Sequence, residues 1–248
     1  MTFRDHFSGV SRSYAAFRPT YPDALFEGLA ARSPGRRLAW DCATGSGQAA
    51  TGLAPHFDRV LATDASLRQV STAAAHPRVA YLAARAEAPP IPDHSADLIT
   101  VAQAVHWFDL DPFWREVRRV LVPRGVIAVW CYVRFRIEPA VDDLVNAFYD
   151  HTVGPFWPAE RSLVEEGYRT LQFPFEEFSF PDLFIERAMT LPELGGYLRT
   201  WSSTQRYTAA RGTDPVVMLL RELAPAWGDP ARSRAVRWPL HLRAGTTR

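Results

Sequence analysis

The run Leu38-Ala39-Trp40-Asp41-Cys42-Ala43-Thr44-Gly45-Ser46-Gly47-Gln48 constrains this chain more than any other stretch. An apolar segment too short for a typical helix ends in an acid, passes into a glycine turn, and leads into residues 48–54, which read helical. The pattern predicts strand, tight turn, helix. Glycines in such a turn let the backbone take positive φ and approach a ligand with no Cβ in the way. The helix start beyond them offers unpaired N–H groups and the positive end of its dipole. Asp41 adds a carboxylate just before the turn, suited to an ammonium or a hydroxyl. Asp64 closes the run Val60-Leu61-Ala62-Thr63-Asp64, roughly twenty residues past the glycines, where a second strand of this topology places a ribose-binding carboxylate. The two stretches together read as a nucleoside cofactor site. Two alternatives stay open at this point. The turn could merely join a strand to a helix, and Gly45-x-Gly47-x-x-Ala50 also satisfies the dinucleotide fingerprint.

Further along, the alternation continues. Pro22 fits the first turn of a helix that carries Ala24, Leu25, Phe26, Leu29 and Ala30 and stops at Pro34-Gly35. Ser66 caps a helix to about Ala75. Residues 78–83 read as a third strand, and residues 97–102 as a fourth that runs straight into Gln103-Ala104-Val105-His106-Trp107-Phe108. A helix over 112–122, a turn at Pro123-Arg124-Gly125 and a fifth strand over 126–130 follow. Residues 134–189 interrupt the alternation with an aromatic-rich, proline-punctuated segment that holds Phe148, Tyr149, Phe156, Trp157, Arg161, Tyr168, Arg169 and Phe173. A sixth strand region over 175–187, helices over 191–201 and 214–227, and an antiparallel strand at 237–242 complete the reading. The predicted fold class is α/β: a Rossmann-like, seven-stranded, mostly parallel sheet with helices on both faces, the last strand antiparallel, and an inserted helical cap. One domain spans 1–248, with 134–207 as the cap.

What the chain lacks narrows its chemistry. There is no lysine in its 248 residues, so a Walker A loop, a Schiff-base enzyme and a Tyr-x-x-x-Lys dehydrogenase pair are excluded. A net charge of +1 argues against a nucleic-acid footprint, and the arginine-bearing stretch 232–248 reads as solvated surface. The two cysteines, Cys42 and Cys131, each end an apolar run as small buried hydrophobes and build no disulfide framework. The seven histidines are scattered without ligand spacing, so no metal site is expected. No Gly-x-Ser-x-Gly elbow is present. No apolar run is long enough to span a bilayer and the N-terminus lacks a signal-peptide core. The expectation is a cytoplasmic protein, monomer or homodimer, without membrane or nucleic-acid partners, acting on a small molecule.

These motifs resemble the class I S-adenosylmethionine (SAM) dependent methyltransferases. Asp41-x-x-x-Gly45-x-Gly47 is similar to the family's first motif, Asp64 to its second acid, and Ala86-Glu87 followed by Pro90-x-Pro92 and Asp97-Leu98-Ile99 to the stretch entering its fourth strand. Phe7-Ser8, Tyr14, Arg18-Pro19-x-Tyr21-Pro22 and Gln103-Ala104-x-His106-Trp107-Phe108 look like the type 11 group near the trans-aconitate methyltransferases. One departure is Ala43, where many members carry glycine. The resemblance implies SAM as cofactor and S-adenosylhomocysteine as product. It implies a cofactor site of Asp41, Gly45, Gly47, Asp64, Ala86, Glu87, Gln103, Tyr14 and Arg18, with Tyr14 and Arg18 folding over the pocket and Ala86 and Glu87 at the adenine edge. Phe7, Tyr14 and Phe17 could instead only pack an N-terminal helix, and Glu87 could be an exposed loop acid.

His106 and Trp107 follow the fourth strand and so should lie near the reacting methyl, since open α/β sheets bind ligands beyond the carboxyl ends of their strands. His106 is the candidate for proton chemistry, although a histidine beside aromatics is often structural; Trp107 would wall the pocket. A SAM-dependent enzyme mainly aligns acceptor and methyl in a dry pocket. A carboxylate acceptor needs no base and would be held by an arginine such as Arg161 or Arg206 through forked hydrogen bonds. A hydroxyl, amine or carbon acid would need His106. The rivals are an NAD-dependent oxidoreductase and a methyltransferase-like module that binds without turnover.

Overall fold

Asp41 and Trp40 point to opposite sides of the sheet, and that alternation organises the molecule, a computed structural model that describes residues 17–247. Trp40, on strand β1 (Leu38–Cys42), donates its indole N–H to Thr63 Oγ1 at 2.8 Å and meets Phe113 edge-on from helix α4 (Leu110–Val120). Asp41, on the other face, lies beneath helix α2 (Gln48–Leu53), which packs on α1 (Asp23–Arg32). With both faces covered, the strands can be apolar almost throughout, as parallel sheets require.

The remaining elements are β2 (Arg59–Asp64), α3 (Leu67–Thr72), β3 (Val79–Ala83), β4 (Ala96–Ala102) and β5 (Leu121–Cys131). After these come α5 (Pro139–Ala147), α6 (Arg161–Glu165), β6 (Glu176–Glu177), β7 (Leu183–Met189), α7 (Leu191–Arg199), α8 (Ser202–Arg211), α9 (Val216–Trp227) and β8 (Arg234–Thr246). The sheet order is β3-β2-β1-β4-β5-β8-β6, with β7 also paired to β8. β1 to β5 run parallel and β8 is antiparallel to β5. The order reverses between β1 and β4, and the crevice above their carboxyl ends is the topological switch point where such sheets take ligands.

The expected seven-position sheet is present, with three adjustments. The sixth strand is split into β6 and β7, separated by a stretch that contains Phe178, Phe180 and Pro181, and both pieces pair with β8. β8 starts at Arg234 and buries Val236, Trp238 and Ala244, so the segment read as solvated surface is a core strand: of its arginines Arg237 is exposed, while Arg234 pairs with Glu138 and Arg243 with Glu177. β5 begins at Leu121 and runs through Pro123-Arg124-Gly125, with an irregular register against β4 between Ala96 and Leu98. Two helices also shift. α4 starts at Leu110 instead of Pro112, and α3 stops at Thr72, short of Ala75. Ser66 does cap α3, accepting from Gln69 N–H. Pro22 stands one position outside α1, as its N-cap. Cys42 and Cys131 are free and buried.

Helical segments from two places in the chain stand over the carboxyl edge. α5, the turns through 148–156 and α6 come between β5 and β6, while α7 and α8 follow β7. Trp201 ties them together, since its ring lies against Phe148, Tyr149, Trp157 and Tyr197. Such aromatic contacts add about 0.5–1.5 kcal/mol per pair beyond area burial. The range 134–207 is therefore not wholly helical: β6 and β7 lie inside it and belong to the sheet.

Candidate active site

The glycine turn has the backbone its sequence demands. Ala43, Gly45 and Gly47 all have positive φ, at 55°, 55° and 86°. The two glycines differ in what surrounds them. A Cβ on Gly47 would sit 2.2 Å from the Tyr81 hydroxyl, so this glycine is needed for packing. A Cβ on Gly45 would meet nothing within 4 Å among the described residues, which leave open space there.

The acids around the turn have different tasks. Asp41 is fully buried, and its carboxylate accepts from Thr44 Oγ1 at 2.5 Å and from Thr100 Oγ1 at 2.9 Å. Burial lifts its pKa to about 6, against the pull of those two hydroxyls. Asp41 thus shapes the turn from beneath, and an ammonium above it would be felt through charge instead of through direct contact. Asp64 stands at the tip of β2, half-buried, and accepts Gly45 N–H at 2.9 Å and Ser66 N–H at 2.8 Å. It therefore links the first and second strand tips. Sequence reasoning named Asp41 but missed Thr44 and Thr100; the signal was two hydroxyl residues on either side of a buried acid at adjacent strand ends.

Ala86 is buried, and Glu87 ties its loop to α4, accepting Asp109 N–H at 3.3 Å and pairing with Arg85 at 3.2 Å. The Glu87 side chain is thus engaged with the protein. Tyr14 lies outside the described residues.

A second group of expected residues meets over the end of β4. Arg18, Gln103, His106, Trp107 and Arg161 line one cavity with Tyr132, Trp157, Tyr197, Trp201 and Gln205. Among the described residues that line it there is no aspartate or glutamate. Gln103 has φ of 59°, unusual outside glycine, and is held there by its N–H on Trp130 O and its side-chain amide on Tyr132 O, 2.9 and 3.0 Å away. Arg18 donates to Tyr132 Oη and Thr200 O, both at 3.2 Å. Arg161 lies over the face of Trp157, 4.4 Å from its centroid, and donates to Tyr149 Oη and Glu165. Its Nη1 makes no hydrogen bond among the described residues. His106 packs on Trp107, and its Nδ1 is 2.9 Å from Tyr168 Oη. Burial, with Arg161 adding to it, pulls the imidazole pKa down to about 3, so the ring is neutral and a weak base. Arg206 is not among the lining residues; Ser202 and Gln205 are the α8 positions turned inward, and Arg206 sits about 100° further round that helix.

A doubly wound sheet, a glycine turn with open space above it, and an acid linking two strand tips define a nucleoside-cofactor-binding α/β protein. The comparisons narrow that class. A methyltransferase-domain family model matches residues 40–129. A Dictyostelium discoideum protein assigned as a methyltransferase is 33% identical over 229 residues, covering 91% of this chain and 87% of its own. An uncharacterised Mycobacterium tuberculosis methyltransferase is 34% identical over 126 residues, about half of each chain at 50% and 51%. Among solved structures, one assigned as a type II methyltransferase from Anaeromyxobacter dehalogenans superposes with a TM-score of 0.88 at 46% identity, covering 93% of this chain and 98% of that one. The chain belongs to the class I SAM-dependent methyltransferases. These likenesses carry the family and not the narrower trans-aconitate group.

The residues present fit SAM. Gly45 would leave room for its amino-acid part beside a helix start, Asp64 would offer its carboxylate to the ribose, and the buried Asp41 would supply negative charge below. Among the described residues no group of three or more His, Cys, Asp or Glu is placed to hold a metal, and no helix is long and apolar enough to cross a membrane.

Proposed function

We propose that this protein methylates a small anionic acceptor, a carboxylate first and an acidic hydroxyl second, at the cavity between the β4 end and the α6–α8 helices. SAM supplies the electrophilic methyl group. Asp64, Gly45, Gly47 and Asp41 would hold it, with Ala86, Gln103, Arg18 and Tyr14 as further contacts, and Arg161 and Trp107 would face the acceptor. The observation that carries the reading is the character of the lining among the described residues: two arginines, five aromatic rings from Trp107, Tyr132, Trp157, Tyr197 and Trp201, and no acid. Arginine's planar fork suits a carboxylate, and its Nη1 edge is the donor that Arg161 has to spare. A neutral, weakly basic His106 favours an acceptor that arrives already ionised over one that needs a base. The aromatic walls exclude water from the charges they surround, which strengthens every contact inside.

The test is methyl transfer from methyl-labelled SAM to a panel of small carboxylic acids, phenols and amines. Labelled methyl esters, which release methanol in alkali, are expected. Label only in an alkali-stable ether or amine would overturn the acceptor class. Tight S-adenosylhomocysteine binding with a blank panel would favour the module that binds without turnover.

A further inference from the structure

We infer that Tyr168 fixes His106 in the tautomer that carries its proton on Nε2, making His106 a hydrogen-bond donor to the acceptor and not its general base. The inference rests on the anionic-acceptor reading above for its purpose, although not for its geometry.

Tyr168 is fully buried, yet it is held where a tyrosine is rarely placed. It has φ of 60°, directly after Gly167, which has the same φ and lies so close to His241 that a Cβ would be 2.7 Å from that ring. Left-handed backbone is unfavourable at a bulky residue and marks a position the surroundings over-determine. That backbone closes the end of α6, with Tyr168 N–H on Leu163 O at 2.8 Å, and the phenol oxygen stands 2.9 Å from His106 Nδ1.

A buried hydroxyl must place its hydrogen somewhere. Tyr168 Oη has no other hydrogen-bond partner among the described residues, so its O–H donates to Nδ1. Burial holds the phenol far above its usual range, so that proton stays on oxygen. Nδ1 is then the acceptor nitrogen, and a neutral imidazole carries its single proton on the other nitrogen, Nε2. His106 lines the cavity and Tyr168 does not, which places the ring edge away from Nδ1 on the cavity side. Nε2 makes no hydrogen bond among the described residues and is not among the solvent-excluded orphan atoms, so it remains accessible from the cavity. Its N–H joins the Arg161 Nη1 edge as a second donor facing the same space. Two donors converging on one anionic oxygen orient it toward the methyl without moving a proton. Tyr168 is a positioning residue, acting only through His106.

The direct test is nitrogen NMR of the protein labelled with ¹⁵N-histidine, at neutral pH and without acceptor, with the His106 signals identified by their loss in His106→Gln. A pyrrole-type Nε2 with its attached proton and a pyridine-type Nδ1 are expected, and Tyr168→Phe should remove that bias. A protonated Nδ1 in the wild-type protein would overturn the inference. The functional arm compares two replacements. Glutamine can present an amide N–H near the Nε2 position, whereas asparagine's shorter side chain reaches only the Nδ1 position. With a carboxylate acceptor, kcat/KM of His106→Asn should fall about ten- to a hundredfold below that of His106→Gln, the range for a hydrogen bond to a charged group. Equal and complete loss in both would show proton abstraction and overturn the donor role. Because the NMR arm needs no acceptor, a wrong acceptor class and a wrong tautomer give separate results.

Discussion

Replacing Asp41 by asparagine should stabilise the fold in alkali while weakening cofactor binding. Asp41 is wholly buried and its pKa rises from 3.8 to about 6, chiefly through loss of hydration. For an acid raised in the folded state the sign runs against the familiar salt-bridge case. The folded protein holds the proton more tightly, so the favourable contribution is complete below about pH 3.8 and is lost as pH rises through about 6. The difference, at about 1.4 kcal/mol per pH unit, amounts to about 3 kcal/mol at pH 8, of which about 1.5 kcal/mol is lost between pH 5 and pH 8. Asparagine has no proton to lose, and the Thr44 and Thr100 hydroxyls can rotate to serve its amide. Urea denaturation of the two proteins at pH 5 and pH 8 measures the effect. The stability gap should move by about 1.5 kcal/mol in favour of Asp41→Asn on going to pH 8, while calorimetry at pH 8 shows weaker S-adenosylhomocysteine binding because the charge beneath the turn is gone. A gap that is the same at both pH values would refute the reasoning.

Other substitutions separate folding from binding around the same turn. Gly45→Ala should cost about 1 kcal/mol of stability, through its φ alone, and block ligand approach; thermal melts against titrations with S-adenosylhomocysteine will show affinity falling much further than stability. Gly47→Ala must in addition displace Tyr81 from Gly47 and from its hydrogen bond to Ala74 O, so about 2–3 kcal/mol should be lost in denaturant melts. Ala43→Gly relieves left-handed strain at a residue with φ of 55° and, after the extra freedom of glycine in the unfolded chain, should stabilise by about 0.5–1 kcal/mol. Arg161→Gln should raise KM for a carboxylate acceptor about ten- to a hundredfold, and an unchanged KM would remove Arg161 from the acceptor site.

The parallel half of the fold was legible because its first two strands lead into residue types that the turn chemistry requires. Asp41, the Gly45 and Gly47 pair and Asp64 mark two strand tips, and Ser66 marks the next helix. Beyond β5 the signal weakened for a physical reason. β6 and β7 are two pieces of one edge, joined by a stretch with a proline, and β8 sets the exposed Arg237 between buried Val236 and Trp238 in an arginine-bearing run, which reads as surface when composition is counted. The cavity lining is drawn from positions as far apart as Arg18 and Gln205, and only packing brings these together. Arg206 illustrates the limit: one residue of helical phase separates it from Gln205, which does line the cavity. Tyr168 was visible only as one aromatic among many, since its importance lies in a left-handed backbone and a single hydrogen bond to His106.

Titration calorimetry of S-adenosylhomocysteine and of NAD into the wild-type protein and into Asp64→Ala bears most directly on the nucleoside site at the β1 and β2 tips. The nucleoside thioether should bind the wild-type chain, NAD should give no heat, and Asp64→Ala should lose at least tenfold in affinity, the scale of one charge-assisted hydrogen bond. Unchanged affinity in Asp64→Ala, or binding of NAD in place of S-adenosylhomocysteine, would contradict the site described above.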